Sequence, residues 1–269
     1  MVRTPGGAVG VGLTFGLIAL ALLANTLAPA DPFASVAEPL SPPSRGHVFG
    51  TDDLGRDVLT GIIHGARTSL LVAASVTMLA TLIGIAVGAF AGYRVGIVDD
   101  ALMRVTEFVL IVPRFFLAVV VIALFGAGMD RLILVLGLTS WPAIARVVRA
   151  QTLSLVRREF VDAARALGAT DTRVLLRYVL PGALPAALVV ISTNAAGVIL
   201  LEAGLSFIGL GDPSRMSWGY LANNAQRFLR VAWWVALFPG AAIALAVLGL
   251  NLLGDAFNDL LDHRAPRST

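Results

Sequence analysis

Six long apolar runs divide this sequence, and they constrain its fold more than any other feature. A helix needs about twenty consecutive apolar residues to cross the hydrocarbon core of a bilayer. Runs of about that length, bounded by charged residues, Gly or Pro, cover residues 8–28, 67–92, 105–126, 131–150, 182–204 and 232–253. With 57% hydrophobic and 14% charged residues, the chain has too few polar groups to cover a soluble surface. The sequence therefore predicts an all-α integral membrane protein with six transmembrane helices.

The first apolar run has two interpretations. Arg3 precedes it, and it ends in Ala28-Pro29-Ala30, a small-residue pattern that also fits a cleaved signal peptide. However, the run is longer than the apolar core of a usual signal peptide, and five further spans would still insert. We therefore expect residues 1–28 to form an uncleaved N-terminal transmembrane helix.

The distribution of arginine predicts the orientation of the chain. No Lys occurs, so Arg supplies all 20 basic residues, and cytoplasmic loops are enriched in positive charge. If both termini are cytoplasmic, twelve arginines lie on the cytoplasmic side, seven lie outside and Arg114 lies within a span. The cytoplasmic set is Arg3, Arg94, Arg104, Arg146, Arg149, Arg157, Arg158, Arg165, Arg173, Arg177, Arg264 and Arg267. The external set is Arg45, Arg56, Arg67, Arg131, Arg215, Arg227 and Arg230. We predict that both termini are cytoplasmic.

This orientation divides the chain into an external segment, a core and a tail. Residues 29–65 follow the first span on the outside and begin with a proline-rich stretch, which disfavours helix. Residues 66–254 form the transmembrane core, which contains one long cytoplasmic loop at 151–181. Residues 255–269 form a cytoplasmic tail.

Composition excludes several classes of chemistry. A P-loop needs a Lys to reach nucleotide phosphates, and the chain has none, so ATP hydrolysis would have to be performed by another subunit. The absence of Cys excludes disulfides, thiolate nucleophiles and cysteine-ligated metals. We expect no enzyme activity, no bound cofactor and no nucleic-acid partner for this chain.

Polar residues in the external segment have two interpretations. Those that could be assembled into a metal site are His47, Asp52, Asp53, Asp57 and His64. Asp52 and Asp57 also stand beside Gly50 and Gly55, where Asx side chains often bond the backbone of turns, and Arg56 offers them a partner. We prefer turn and cap roles and expect no metal site.

Four polar residues within or beside the predicted spans are candidates for a functional role. They are Glu107, Arg114, Asn194 and Glu202. Such groups are costly in a bilayer unless they face protein or water, so they could pack the bundle or line a pathway, and Glu107, Arg114 or Glu202 could act as relays in an ion-coupled carrier. Glu107 and Arg114 are about two helical turns apart, which places them on one face of the third predicted span. We favour packing over pathway lining.

Glycines at four-residue spacing mark the second predicted span. Gly84, Gly88 and Gly92 form a small-xxx-small pattern, which lets two helices approach closely. We interpret them as packing residues.

The 151–181 loop carries a helix–turn–helix pattern. Apolar residues recur at helical spacing from Phe160 to Leu167, which predicts one narrow apolar face. Gly168 then ends the first helix, because it tolerates a left-handed backbone, and Thr170 or Asp171 caps the second. Such a projection could dock in a groove of a cytosolic protein or lie on the membrane surface.

The residue order of this loop resembles the EAA loop of ABC-importer permeases. The matching residues are Asp162, Ala163, Ala164, Leu167, Gly168, Leu180 and Pro181. Two positions depart from the family, since Asp162 replaces the usual Glu and Tyr178 stands where many members carry Ile. The shorter carboxylate keeps the charge but reduces its reach.

The external segment is similar to the GTDxxGRD signature of the second permease in dipeptide and oligopeptide importers. The matching residues are Gly50, Thr51, Asp52, Gly55, Arg56 and Asp57. Further matches run from Glu202 to Gly211, at Trp218-Gly219 and from Asn251 to Asp255. Together these segments resemble the C-type subunit of the dipeptide, oligopeptide and nickel class of ABC-importer permeases.

The resemblance implies a type I, MetI-like importer permease in a bacterial plasma (inner) membrane. It implies that the 151–181 loop couples this chain to its ATPase partners, either two subunits or one fused chain, which use ATP and Mg. It also implies a homologous B-type permease, an external solute-binding protein and surrounding lipid. The implied cargo is a di- or oligopeptide, with nickel, glutathione, heme or another small solute as alternatives.

Overall fold

The computed structural model describes residues 5–262, and its long elements are all helices. The helices are α1 (Pro5–Leu22), α2 (Ala24–Leu27), α3 (Val58–Tyr93), α4 (Ile97–Ile111), α5 (Arg114–Phe125), α6 (Met129–Val156), α7 (Glu159–Ala166), α8 (Asp171–Val174), α9 (Leu180–Phe207), α10 (Trp218–Ala225) and α11 (Trp233–Asp262). A π-helical turn (Leu175–Val179) joins α8 to α9, and a 3₁₀ turn (Gln226–Phe228) follows α10. Arg3, Arg264, Arg267 and the tail beyond residue 262 lie outside the described residues.

The third predicted span, 105–126, is wrong as a single helix. α4 ends at Ile111, α5 begins at Arg114, and the two axes are bent by 74°. Pro113 explains the break, because a proline pushes the preceding residue out of the helical region, and Val112 is extended at φ −70° and ψ 119°. Counting apolar residues registers hydrophobicity but not this backbone restriction.

Contacts at the two ends of the bundle show that the bent pair crosses it. At one end the Tyr93 hydroxyl, just before α4, donates to Asp171. At the other end Met129 N, just after α5, donates to Asp212, which follows α9. We call the first the loop end (residues 94–96 and 157–170) and the second the signature end (28–57, 126–128 and 208–232). α4 and α5 together therefore form a broken span.

Both ends of the described chain lie at the loop end. Ala28, just after α2, accepts a hydrogen bond from His64 near the start of α3, so α1 runs toward the signature end. α11 begins at the signature end, where the Trp234 indole donates to Thr51 O. Gly10 near the start of α1 packs against Leu252 near the end of α11. Within residues 5–262 the chain thus crosses the bundle six times, with the bent pair counted once.

Several helices extend beyond the apolar runs that predicted them. α3 begins at Val58 rather than 67, so the last eight residues of the predicted external segment, 58–65, are helical. α11 continues through Asp262, which makes the first part of the predicted tail helical. Charged residues end an apolar run without ending a helix, because the backbone hydrogen bonds of a helix do not depend on whether the side chains are apolar or charged.

Close packing of α3 against α6 organises the core. A Cβ on Gly84 would lie 2.8 Å from the Cβ of Ile144, and one on Gly92 would lie 2.7 Å from the backbone oxygen of Arg149. Gly88 faces α6 in the same way. The predicted packing role of these glycines is confirmed.

Interior prolines distinguish the long helices. α6 contains Pro142, α9 contains Pro185 and α11 contains Pro239, and each removes a helical hydrogen bond and favours a bend. α3 has 36 residues and no proline. At 1.5 Å per residue it is a rod about 54 Å long that joins the two ends of the bundle.

Candidate functional site

Gly168 forms an elbow in the 151–181 segment. α7 ends at Ala166, and Gly168 adopts φ +83°. The amide of Ala169 donates to Ala164 O at 3.0 Å, and that of Gly168 donates to Arg165 O at 2.9 Å. These two bonds close the helix as a Schellman motif. The prediction that Gly168 ends the first helix is confirmed.

The chain leaves the elbow through a short helix that merges with a span. Thr170 is the cap, because its hydroxyl accepts from Arg173 N at 3.4 Å. α8 then widens into the π turn and continues as α9. Leu180 and Pro181 are the first two residues of α9, where it continues from the π turn.

Apolar residues of this segment separate onto two sides, so the predicted single apolar face is wrong. Val161 on α7 is fully buried against Val174 and Val179. Phe160 and Leu167 instead stay 46% and 89% exposed. The elbow folds α8 and the π turn back onto one side of α7. This contact covers Val161 and leaves Phe160 and Leu167 exposed.

Most of the predicted coupling residues are exposed to solvent. The predicted coupling residues that are exposed are Asp162, Ala163, Leu167, Gly168 and Pro181, whereas Leu180 is half-buried and Ala164 is buried. Leu176 and Tyr178, on the second half of the segment, are exposed as well. A Cβ on Gly168 would have no neighbouring atom within 4 Å among the described residues. The chain alone therefore presents apolar side chains around an open elbow.

At the signature end, Asp52 organises a tight turn. Its Oδ1 accepts from Leu54 N and Arg56 N at 2.9 Å each, and its Oδ2 accepts from Arg56 Nε at 2.6 Å. Gly50 and Gly55, each at φ +73°, supply the left-handed positions. The predicted turn role of Asp52 is confirmed.

Neighbouring signature residues fasten this turn to the helices. Asp57 caps α3, as predicted, because its carboxylate accepts from Thr60 N at 2.8 Å, and it also contacts His47 Nδ1 at 3.0 Å. The buried Arg56 guanidinium donates to the Tyr220 hydroxyl at 3.2 Å and lies over the ring of Phe33 at 5.9 Å. The external segment is therefore tied to α3 and α10.

Asp53 is the unsatisfied member of the signature. Its Oδ1 is buried and has no hydrogen-bond partner among residues 5–262. Burial raises the pKa of the Asp53 carboxyl, and the adjacent Asp52 raises it further. The side chain lines a polar cavity of about 230 Å³ together with Asn223 and Arg227. This setting favours the protonated carboxyl more than bulk water does.

Glu202 is buried in α9 and held by three serines. Its carboxylate accepts from Ser69 of α3 at 3.1 Å, from Ser206 at 2.9 Å and from Ser217 at 2.8 Å. Ser69 in turn accepts from Trp218 N at 3.2 Å. These contacts join α3, α9 and α10, which is the geometry of a packing residue.

The other three polar candidates do not meet one another. The break at Pro113 puts Glu107 on α4 and Arg114 on α5, so the expectation that they share one helix face is wrong. Within residues 5–262, no carboxylate oxygen lies within 4.0 Å of the Arg114 guanidinium. Glu107 is exposed, and the buried Nδ2 of Asn194 has no partner in the described part of the chain. Within residues 5–262, the Arg114 guanidinium thus has no ion-pair partner and Asn194 Nδ2 has no hydrogen-bond partner.

Two polar contacts at the loop end were missed by sequence reasoning. Arg149 of α6 makes a two-pronged contact with the buried Asp99 of α4, at 2.5 and 2.6 Å. Tyr93 contacts both sides of the elbow. No signal in a single sequence pairs residues fifty or more positions apart.

A protein-family model matches most of the transmembrane core. Residues 84–266 match the family described as "Binding-protein-dependent transport system inner membrane component". The matched region includes the 151–181 segment and the bent pair.

Curated relatives align along almost the whole chain. A putative peptide transport system permease protein of Brucella suis biovar 1 is 38% identical over 95% of this chain and 87% of its own. A di/tripeptide transport system permease protein of Pseudomonas aeruginosa is 36% identical over 96% and 88%. A glutathione transport system permease protein of Pectobacterium atrosepticum is 38% identical over 96% and 87%.

A solved structure has the same fold. A chain of the MetNI methionine ABC transporter, in an inward-facing conformation, superposes with a TM-score of 0.59 at 19% identity. The match covers 76% of this chain and 95% of that one. The predicted MetI-like fold is confirmed. This chain belongs to the family of binding-protein-dependent transport system inner membrane components, the multi-pass permease subunits of ABC importers.

Proposed function

We propose that this chain is one of two permease subunits in an ATP-driven importer of short peptides, with its loop end in the cytoplasm. The names of similar proteins support the cargo, since they specify peptides, di- and tripeptides and the tripeptide glutathione. The arginines of the 151–181 segment support the orientation through the positive-inside rule. They are Arg157, Arg158, Arg165, Arg173 and Arg177.

The open elbow is the observation that carries the proposal. Leu167 is exposed beside Gly168, and Phe160 is exposed in the first turn of α7, at the end of the bundle where both described chain ends lie. Apolar side chains that project into water from a helix pair are suited to a groove on a protein partner. We assign this surface to an ATPase subunit, which supplies the Lys-containing phosphate site that this chain lacks and uses ATP and Mg. The predicted coupling residues, from Asp162 to Pro181, take their role from this contact.

Partners on the other faces are inferred from polar groups that have no partner among residues 5–262. Arg114 and Asn194 need hydrogen-bonding or charged partners in the membrane. A homologous second permease subunit, or a water-filled pathway between the two subunits, would supply them. The signature end is densely hydrogen-bonded, and we assign its outer surface to contact with an external solute-binding protein. The ion-coupled carrier alternative has no support from the family assignment.

The test is uptake of a labelled dipeptide and of labelled nickel by cells that lack the gene. Wild type is expected to restore dipeptide uptake and not nickel uptake. Gly168→Trp is expected to insert normally but to abolish uptake, because the indole occupies the open elbow and strains a left-handed backbone.

Gly96→Trp is the matched control. Gly96 also has a positive φ, lies at the loop end and has no atom within 4 Å of a Cβ among the described residues, yet it stands outside the 151–181 segment. Normal uptake by Gly168→Trp at equal membrane abundance would overturn the coupling assignment. Restoration of nickel uptake alone would overturn the peptide assignment.

A further inference from the structure

The Tyr93 hydroxyl bridges the two halves of the elbow to α3. It donates to Asp171 Oδ1 at 2.6 Å, at the first residue of α8. On the other side of Gly168, Nη2 of Arg165 lies 3.5 Å from the same hydroxyl, and the guanidinium stands 5.9 Å from the ring centre. Among residues 5–262, these are the side-chain hydrogen bonds that join the 151–181 segment to the rest of the chain.

The ring of Tyr93 also packs where the segment is most buried. Val161, Val174 and Val179 form a small cluster with no exposed surface, and Tyr93 lies against it. This cluster holds both halves of the elbow, so a displacement of the elbow as a unit displaces the surface that Tyr93 contacts. The phenol thus couples to the segment through both apolar packing and hydrogen bonds.

α3 can carry such a displacement across the membrane. Its chain is uninterrupted by proline from Val58 to Tyr93, whereas α6 and α9, the spans continuous with the segment, contain prolines that favour bending. Its far end is fixed to the signature turn by the Asp57 cap. A displacement of α3 at Tyr93 therefore moves its other end, at the signature end, because little of the displacement is absorbed by bending of the helix.

We propose that the Tyr93 hydroxyl is the joint through which the 151–181 segment moves α3, so that α3 transmits the state of the ATPase to the signature end. This inference rests on the proposed function. Tyr93 acts as a positioning residue, because it contacts neither cargo nor nucleotide in the proposed assembly.

The test compares Tyr93→Phe with Thr81→Val in the full complex, purified by a tag on this chain and reconstituted in lipid. Thr81 is the matched control, since it lies on α3 as Tyr93 does and its buried hydroxyl makes no hydrogen bond among the described residues. Tyr93→Phe is expected to lower dipeptide uptake per ATP hydrolysed about fivefold, the effect of one lost hydrogen bond, while hydrolysis continues. Thr81→Val is expected to leave this ratio unchanged.

A second readout separates failure of the joint from failure of the cargo assignment. Hydrogen exchange at residues 58–62, the first turn of α3, is expected to change on ATP addition in wild type and Thr81→Val but not in Tyr93→Phe. If wild type moves no peptide, the cargo assignment fails, and this comparison still tests the joint. An ATP response at residues 58–62 that is absent from wild type, or equal in wild type and Tyr93→Phe, would overturn the inference.

Discussion

The two ends of this helix bundle are built in opposite ways. At the signature end, Arg56 and Trp218 are buried, and each is hydrogen-bonded to a neighbouring element. At the loop end, the elbow rests on three buried valines, and many of its other side chains face outward. Regions with few buried contacts open at lower free energy than densely bonded ones. The signature end is therefore expected to hold its conformation, whereas the loop end is expected to change conformation more easily when a partner binds.

Removing an arginine from each end should give the largest contrast. Arg56→Ala leaves the Asp52 carboxylate, whose side chain is 3% exposed, without its cation, and breaking such a buried pair costs about 3 kcal/mol. Arg165→Ala removes a partly exposed partner of Asp162 and a weak contact with Tyr93, and it should cost about 1 kcal/mol or less. Thermal unfolding in detergent should therefore show a much larger drop in Tm for Arg56→Ala. Equal drops would contradict the comparison.

The two hydroxyl caps should differ by a smaller amount. Ser217→Ala removes the cap of α10, which accepts from Tyr220 N at 3.1 Å, and one donor to the buried Glu202, at a cost of about 2 kcal/mol. Thr170→Ala removes a single exposed 3.4 Å cap and should cost about 0.5 kcal/mol. Denaturant or thermal titration of both variants measures the difference. A Thr170→Ala effect as large as that of Ser217→Ala would show that the elbow is as firmly held as the signature end.

Asp53→Asn should give the smallest effect and the opposite sign. The folded protein raises the pKa of the Asp53 carboxyl above its ordinary value near 3.9, so folding favours its protonated form. This residue's contribution to stability therefore falls as pH rises from about 4 through the raised folded value, and it stays reduced at neutral pH. Asp53→Asn should slightly raise Tm at pH 7 and remove that part of the pH dependence. Lowered Tm at pH 7 would show that the carboxylate is satisfied by a partner.

Local patterns in the sequence predicted the features that depend on neighbouring residues. Apolar runs located the spans, the spacing of Gly84, Gly88 and Gly92 indicated a close helix pair, and Gly168 marked the elbow. Each of these depends on helical periodicity or on the conformational range of one residue. The Asp57 cap and the Asp52 turn were predictable for the same reason.

Features that depend on distant residues were not predictable. The division of the elbow's apolar residues requires knowing that Val174 folds back over Val161. The contacts of Tyr93 with Asp171, and of Glu202 with Ser69, join residues far apart in sequence. Pro113 is a different case, because its effect on Val112 depends only on the adjacent residue and could have been predicted. A count of apolar residues ignores it. Assignment of roles to the coupling residues stays a prediction that transport assays must test.

The break at Pro113 also bears on how such a chain is assembled. The last four carbonyls of any α-helix lack partners within it, and α4 ends in the middle of a broken span. Lipid cannot satisfy these groups, whereas a second chain or water can. A newly inserted subunit would therefore be stabilised at this point by meeting its partner, so that biogenesis and pairing of the permeases would favour each other.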